Sequence, residues 1–272
     1  MQHIPFHDFG GSGPIIHFAH PNGFSAECFH RFASELTPKF KVIGMNARPL
    51  WAGSNPAELT NWQLLADDLI IFLDKHKLSG VVGAGISLGG VTTMYAALKR
   101  PDLFSKLILI EPVFLPRRII WGSRMLPASI MDKRSPAGIA KKRQDHWPNR
   151  QVVFDRWRAK RAFKRYPDET LWDYVNHGLI EQEDGSVRLA YPKAWEAKIY
   201  STPPSVWNKI GRISHPTLGF RGSRTNVLSK AKWKRWQELQ PSGTFIEIDG
   251  VGHMIPMEDY AGLASHILNW LG

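Results

Sequence analysis

The stretch from Val81 to Gly90 constrains the fold of this chain most, because it reads as a strand, a tight turn and a helix in immediate succession. Its centre, residues 85–89, has the sequence Gly-Ile-Ser-Leu-Gly, a G-x-S-x-G pattern. An apolar, β-prone run precedes it, and a run with helical character follows from Val91 to Lys99. Such a turn holds a serine in a strained, positive-φ conformation at the edge of a parallel sheet. The pattern predicts that Ser87 is a nucleophile, and a plain glycine turn is the alternative.

A serine nucleophile needs a general base, and the C-terminal region contains a candidate histidine. Residues Thr244–Asp249 alternate like a strand, a glycine-rich loop ends at His253, and Met254–Glu258 has the character of a helix start. Histidine suits this role because its ordinary pKa lies close to neutral pH. We therefore predict that His253 is the base. The alternative is that it is one surface histidine among the 11 in the chain.

These two motifs, in this order, resemble the α/β-hydrolase superfamily. The resemblance extends from Pro14 to Leu271, and its specific parts are the turn around Ser87 and the G-x-G-H-x-x-P-x-E tail at 250–258. It implies an α/β fold with a mostly parallel sheet of seven or eight strands, helices on both faces and a helical cap. Only 13 residues precede the first central strand, which favours the smaller sheet.

Short apolar runs support this fold independently of the resemblance, because strands buried on both faces are almost continuously hydrophobic. These runs are residues 14–19, 41–45, 106–110 and 216–220. The alternation of strands and helices stops for about ninety residues after the strand that ends near residue 110. We therefore expect a hydrolase core formed by residues 1–112 and 206–272, with a helical cap inserted at 113–205.

The resemblance also implies an oxyanion hole formed by two backbone N–H groups. One belongs to the residue after the nucleophile, Leu88. The other belongs to a loop after the first central strand, here His-Pro-Asn-Gly-Phe-Ser at residues 20–25. Matching Asn-Gly-Phe-Ser to that loop makes Phe24 the donor, which we favour, whereas matching His-Pro makes Asn22 the donor.

The acid that orients the histidine is where this chain departs from the family pattern. Relatives usually carry an aspartate after the next-to-last strand, but no carboxylate occurs between Phe220 and Gln237. The corresponding position is Asn226 or Thr225. A second known location follows the strand after the nucleophile helix, and this chain has Glu111 there. We therefore predict that Glu111 is the orienting acid, with Asn226 as the alternative position.

The proposed cap is rich in tryptophan and in positive charge. Six tryptophans lie in or next to it, at positions 121, 147, 157, 172, 195 and 207, and they either line a substrate pocket or form the core of the cap. Residues 116–166 contain 15 Lys and Arg against three Asp, a net charge of +12 compared with +11 for the whole chain. Such a face either steers an anionic substrate or is a solvated surface.

Composition limits the remaining possibilities. A single cysteine, Cys28, excludes an internal disulfide and favours a reducing compartment, so we predict a cytoplasmic location. No signal-peptide pattern and no run of membrane-spanning length is present. The histidines at 3, 7, 17 and 20 lack an accompanying metal-ligand pattern, so we expect neither a metal nor a cofactor.

The sequence as a whole predicts a serine hydrolase that cleaves a carboxylic ester, or a related acyl bond, through an acyl-enzyme. Its expected partner is a small-molecule ester or acyl substrate, with anionic substrates as one candidate class, and no nucleic acid. One alternative is an acyltransferase or thioesterase acting on acyl chains carried by CoA or a carrier protein. Another is a catalytically impaired hydrolase fold used for binding. The oligomeric state is left open.

Overall fold

A computed structural model describes residues 3–116 and 135–272 of the chain. The strands within these ranges are β1 (Phe6–Gly10), β2 (Ile15–Ala19), β3 (Lys41–Met45), β4 (Val81–Ile86), β5 (Phe104–Ile110), β6 (His146–Trp147), β7 (Leu179–Glu181), β8 (Val187–Leu189), β9 (Thr217–Gly222) and β10 (Thr244–Ile248). The α-helices are α1 (His30–Leu36), α2 (Gln63–Lys75), α3 (Leu88–Lys99), α4 (Pro136–Lys142), α5 (Arg150–Arg158), α6 (Asp168–His177), α7 (Lys193–Ser201), α8 (Trp207–Ile210), α9 (Lys230–Leu239), α10 (Ile255–Glu258) and α11 (Tyr260–Leu271).

The main sheet has seven strands in the order β1-β3-β2-β4-β5-β9-β10. All neighbouring pairs are parallel except β1 and β3, which are antiparallel. The predicted fold class is therefore confirmed, with seven strands. Among the described residues, the segment before β2 contributes one strand, β1, which lies at the edge of the sheet antiparallel to β3.

Helices cover both faces of this sheet, and the side chains of β5 show how. Leu107 and Leu109 belong to the apolar cluster that includes side chains of α2, α3 and α9. Ile108 and Ile110 belong to a second cluster that includes side chains of α1 and α11. Because successive side chains of a strand point to opposite faces, a strand buried on both faces must be apolar throughout. This requirement explains the continuous apolar runs in the sequence.

The order of the strands brings the predicted site residues to one edge of the sheet. Ile86, the last residue of β4, pairs with Ile110, the last residue of β5. Ser87 and Glu111 therefore emerge side by side, and the Ser87 N–H donates to the Ile110 carbonyl at 3.0 Å. β9 and then β10 follow β5 in the sheet, so the loops after them end at the same edge.

Between β5 and β9 the chain leaves the main sheet. The described part of residues 113–205, which we call the cap segment, contains α4 to α7 and a small antiparallel sheet in the order β6-β8-β7. The division of the chain into core and cap at residues 113 and 205 stays a prediction. Three of its tryptophans, Trp147, Trp157 and Trp195, are at most 4% exposed, which favours a role in the core of this segment. Trp121 lies outside the described residues.

Candidate active site

The turn around Ser87 has the strained geometry that its sequence predicts. β4 ends at Ile86 and α3 begins at Leu88, so Ser87 alone makes the turn, with φ 56° and ψ −114°. A Cβ on Gly85 would lie 2.5 Å from the backbone of Gly89, and a Cβ on Gly89 would lie 2.0 Å from the carbonyl oxygen of Ala19. Both glycines are therefore required sterically, since any side chain would separate the helix from the sheet.

His253 reaches Ser87 from the loop that follows β10. Gly250, at φ 77°, starts this loop in the left-handed region. The imidazole Nε2 lies 2.9 Å from Ser87 Oγ, within hydrogen-bond distance. The serine hydroxyl is nearly buried, at 8% exposure for the residue, so the two groups meet largely shielded from solvent.

Glu111 lies on the other side of the imidazole. Its Oε2 is 3.0 Å from His253 Nδ1, and the residue is fully buried. An ionised carboxylate only accepts hydrogen bonds, so Nδ1 carries the proton and the Nε2 lone pair faces the serine hydroxyl. Glu111 itself has φ 46°, a conformation that non-glycine residues rarely adopt.

Two further donors fix the Glu111 carboxylate, one at the end of β9 and one in the loop that follows it. The Gly222 N–H donates to Oε1 at 2.7 Å, and the Thr225 hydroxyl donates to Oε2 at 2.7 Å. Thr225, one of the two positions that the resemblance suggested for an aspartate, instead binds the carboxylate of Glu111, the residue directly after β5. Asn226 is exposed, and the side-chain hydrogen bonds of His253 within the described residues go to Glu111 and Ser87 instead. The structure thus brings Glu111, and not Asn226, to the histidine.

The loop between β2 and α1 lies beside the start of α3. Leu88 is the first residue of α3, so its N–H has no acceptor within the helix. Gly23 has φ 87°, and the Phe24 ring stacks on Tyr174 of α6 with centroids 4.1 Å apart. The alternative donor, Asn22, belongs to the same loop. Assignment of Phe24 and Leu88 as the oxyanion donors stays a prediction.

Comparison with known proteins decides the family. The model of the "Alpha/beta hydrolase family" matches residues 18–266, nearly the whole chain. The chain belongs to the alpha/beta hydrolase family.

The relatives and solved structures described next are similar to this chain at low sequence identity. The uncharacterized hydrolase YugF of Bacillus subtilis is 22% identical, over 94% of this chain and 92% of that protein. Ethanol acetyltransferase 1 of Hanseniaspora uvarum is 23% identical, over 75% of this chain and 64% of that protein. The crystal structure of E-2-(acetamidomethylene)succinate hydrolase superposes with a TM-score of 0.83 at 18% identity, over 98% of this chain and 94% of that one.

A second carboxylate, which the sequence analysis did not assign a role, supports the histidine loop of this hydrolase fold. Glu258, at the end of α10, accepts the Gly252 N–H at 2.7 Å and the Arg165 Nε–H at 2.5 Å, both on Oε2. Its side chain is 3% exposed. The only sequence signal for it was its place in the G-x-G-H-x-x-P-x-E tail.

Two buried histidines, one in β2 and one directly after it, have structural roles. The Met45 N–H donates to His17 Nε2 at 3.2 Å, and the Ala47 N–H donates to His20 Nε2 at 2.9 Å. Burial lowers the pKa of His17 to about 3, and burial also lowers the pKa of His20, so both rings are neutral at pH 7. Within residues 3–116 and 135–272, the side chains form no cluster of three or more potential metal ligands.

Those same two ranges contain no helix that combines the length and the apolar character needed to cross a membrane.

Proposed function

We propose that this member of the alpha/beta hydrolase family is a serine hydrolase that cleaves a carboxylic ester through an acyl-enzyme. The observation that carries the proposal is the continuous line of contacts from Glu111 through His253 to Ser87, at 3.0 Å and 2.9 Å. An acid, an imidazole and a hydroxyl in this order are what nucleophilic catalysis by serine requires.

In the first half of the proposed reaction, His253 Nε2 takes the proton of Ser87 as Oγ attacks the ester carbonyl. The carbonyl π electrons move to the oxygen, and the resulting oxyanion is stabilised by the Phe24 and Leu88 N–H groups. Glu111 stabilises the imidazolium and keeps the proton on Nδ1. The tetrahedral intermediate then expels the alcohol, which receives the proton held by His253.

In the second half, water replaces the alcohol. His253 takes a proton from the water, the hydroxide attacks the acyl carbon, and the Ser87–acyl bond breaks as the proton returns to Ser87. No cofactor takes part in either half.

Covalent labelling tests the nucleophile without knowledge of the substrate. A fluorophosphonate probe should label the wild-type protein on Ser87, and Ser87→Ala should abolish labelling while thermal unfolding is unchanged. Ser205→Ala, in which another buried serine hydroxyl is removed, is the matched control and should label like wild type. Undiminished labelling of Ser87→Ala would rule out the assignment.

An acyltransferase is the second candidate, and similarity to ethanol acetyltransferase 1 over 75% of this chain favours it. In that case an alcohol, not water, removes the acyl group from Ser87. Incubation with 4-nitrophenyl acetate and increasing ethanol discriminates the two reactions. A transferase should form ethyl acetate in large excess over acetate at millimolar ethanol, whereas a hydrolase should form acetate.

A binding protein derived from a hydrolase is the third possibility from the sequence, motivated by the missing aspartate. The contact between Glu111 and His253 weakens that motivation, because a carboxylate lies against the imidazole by another route. Absence of fluorophosphonate labelling in the wild-type protein would revive it.

A further inference from the structure

Residues 22–25, in the loop that we propose as half of the oxyanion hole, each contact the cap segment. Asn22 Nδ2 donates to the Glu196 carbonyl at 3.1 Å, and Ser25 Oγ donates to the His177 carbonyl at 3.2 Å. Between them, the Gly23 carbonyl accepts the Tyr174 hydroxyl at 3.1 Å, and the Phe24 ring stacks on the Tyr174 ring. These four cap contacts come from α6 and α7.

Tyr174 is itself fixed by a charged pair within the cap segment. Arg143, directly after α4, donates from Nη2 to the Tyr174 hydroxyl at 2.8 Å and from Nη1 to Glu196 Oε2 at 2.9 Å. The backbone carbonyl of Glu196 also accepts a hydrogen bond from Asn22. The contacts therefore form a continuous path from Asn22 through Glu196, Arg143 and Tyr174 to Gly23. Glu196 and Tyr174 are both buried.

The hydroxyl of Tyr174 acts as the donor to Gly23. Burial raises the pKa of the Tyr174 phenol above its ordinary value, so the group keeps its proton at neutral pH. Arg143 has only donors on its guanidinium, so the Tyr174 oxygen accepts from Arg143 and its own hydrogen is directed to the Gly23 carbonyl.

This contact bears on the oxyanion because the Gly23 carbonyl and the Phe24 N–H belong to one peptide unit. The unit is planar, with its C=O and N–H pointing in opposite directions, so fixing the oxygen fixes the direction of the N–H. A hydrogen bond to the carbonyl also polarises the N–H at the other end of the unit. We infer that Tyr174, held by Arg143, is a positioning residue that directs the Phe24 N–H toward the oxyanion. This inference rests on the proposed serine-hydrolase function.

Tyr174→Phe is the decisive variant, because it keeps the ring that stacks on Phe24 and removes only the hydroxyl. In pre-steady-state acylation with 4-nitrophenyl acetate, the maximal rate should fall by about 10- to 100-fold, less than the 10²–10³ that follows from loss of a whole oxyanion donor. The ester concentration at half-maximal rate should be unchanged, since the N–H binds the transition state more strongly than the ground state. Affinity for phenylboronic acid, which forms a tetrahedral adduct with the serine, should fall by the same factor as the rate.

Two further variants separate positioning from general damage to the cap. Tyr166→Phe removes the hydroxyl of another buried cap tyrosine, which makes no side-chain hydrogen bond to residues 22–25 in the part of the chain that the structure describes, and should acylate like wild type. Arg143→Gln should lower the same maximal rate by less than Tyr174→Phe, and it keeps the inference testable if Tyr174→Phe does not fold. The pH profile of acylation should be unchanged in Tyr166→Phe and in Arg143→Gln, because neither substitution alters His253.

The outcomes distinguish this inference from the proposed function. If wild type acylates on Ser87 and Tyr174→Phe acylates at the wild-type maximal rate, the positioning role is wrong and the serine hydrolase stands. If Tyr166→Phe loses as much activity as Tyr174→Phe, the effect is general destabilisation and the inference is again wrong. If Ser87→Ala releases 4-nitrophenol as fast as wild type, the proposed function itself fails.

Discussion

At the scale of residues, the candidate site is built from the strained ends of adjacent strands. Three non-glycine residues in the described ranges have positive φ, at positions 77, 87 and 111, and the last two are Ser87 and Glu111. Each such conformation costs of order 1–3 kcal/mol and persists only where surrounding contacts fix it. Here the contacts are the sheet itself, since the Ser87 N–H binds β5 and the Glu111 N–H binds the Phe220 carbonyl of β9 at 3.0 Å.

The first prediction concerns the acid. Glu111→Gln should lower kcat/KM for 4-nitrophenyl acetate by about 10⁴, because an amide facing Nδ1 favours the wrong imidazole tautomer and leaves the imidazolium unstabilised. Steady-state kinetics with matched thermal unfolding measures this loss.

Asn226→Ala is the matched control and should retain wild-type kinetics, because Asn226 is exposed and Glu111 occupies the position beside the imidazole. A larger loss in Asn226→Ala than in Glu111→Gln would overturn the assignment of the acid.

The sequence predicted those parts of the site that local motifs encode. Ser87 and His253 lie in glycine-rich turns whose steric demands are visible in a few adjacent residues. Glu111 required the additional knowledge that its strand lies next to that of Ser87. Thr225 and Tyr174 could not be assigned roles from the sequence, because their partners are distant along the chain. Thr225 contacts Glu111, 114 positions away, and Tyr174 contacts Gly23, 151 positions away. The mostly parallel sheet was predictable because buried parallel strands must be apolar on both faces, whereas the choice between seven and eight strands was left open by the sequence.

At the scale of elements, the two loops of the candidate site are held by residues outside the main sheet. Glu258 of α10 binds the Gly252 N–H, immediately before His253, and Arg165 of the cap segment binds Glu258. A Cβ on Gly252 would lie 2.2 Å from Arg165 Nη2, so the glycine lets the arginine approach the loop. The histidine loop and the proposed oxyanion loop therefore both depend on residues of the cap segment.

The second prediction concerns Glu258. Glu258→Ala leaves the Gly252 N–H without its acceptor and should lower kcat by about tenfold, equivalent to about 1.4 kcal/mol, because the imidazole loses its fixed position. Glu258→Gln keeps an acceptor oxygen and should retain more of the activity. Rate measurements on both variants, with KM, test the point, and wild-type kcat in Glu258→Ala would contradict it.

At the scale of the whole molecule, much of the positive charge of the cap segment is already engaged. Arg143, Arg150, Arg158 and Lys193 form ion pairs with carboxylates. Arg158 also donates to the carbonyls of Phe163 and Tyr166, so it is a structural residue. Five of the cations counted in the sequence lie outside the described residues, at positions 117, 118, 124, 133 and 134.

The third prediction tests whether the remaining charge steers substrates. The exposed cations Arg156, Lys160, Arg161 and Lys164 are suitable for charge reversal, whereas Arg158 is not. If these cations attract anionic esters, charge reversal should lower kcat/KM for an ester that carries a carboxylate and leave kcat/KM for 4-nitrophenyl acetate unaffected. Added salt should likewise lower kcat/KM of the wild-type protein for the anionic ester only. Equal effects on the charged and neutral esters would identify a solvated surface.

The fourth prediction concerns stability in acid. The pKa of His17 is about 3 in the folded state, compared with an ordinary value of 6.5, so below pH 6.5 the unfolded chain binds a proton that the folded chain does not. The contribution of this residue to stability is fully present well above pH 6.5 and decreases as the pH is lowered, by about 1.6 kcal/mol between pH 6.5 and pH 5. Urea unfolding across this range should show a shallower slope in His17→Gln, and an identical slope would contradict the buried neutral histidine.

If acyl groups pass through Ser87 during ester hydrolysis, an acyl intermediate can be trapped on this residue. Wild-type protein is mixed with 4-nitrophenyl acetate, quenched in acid during the first turnover, digested and mapped by mass spectrometry. We expect one stoichiometric acetyl group on the peptide that contains Ser87, absent in Ser87→Ala and formed far more slowly in Glu111→Gln. Ester turnover with no acetyl group on Ser87, or acetylation of another residue at the rate of turnover, would contradict this expectation.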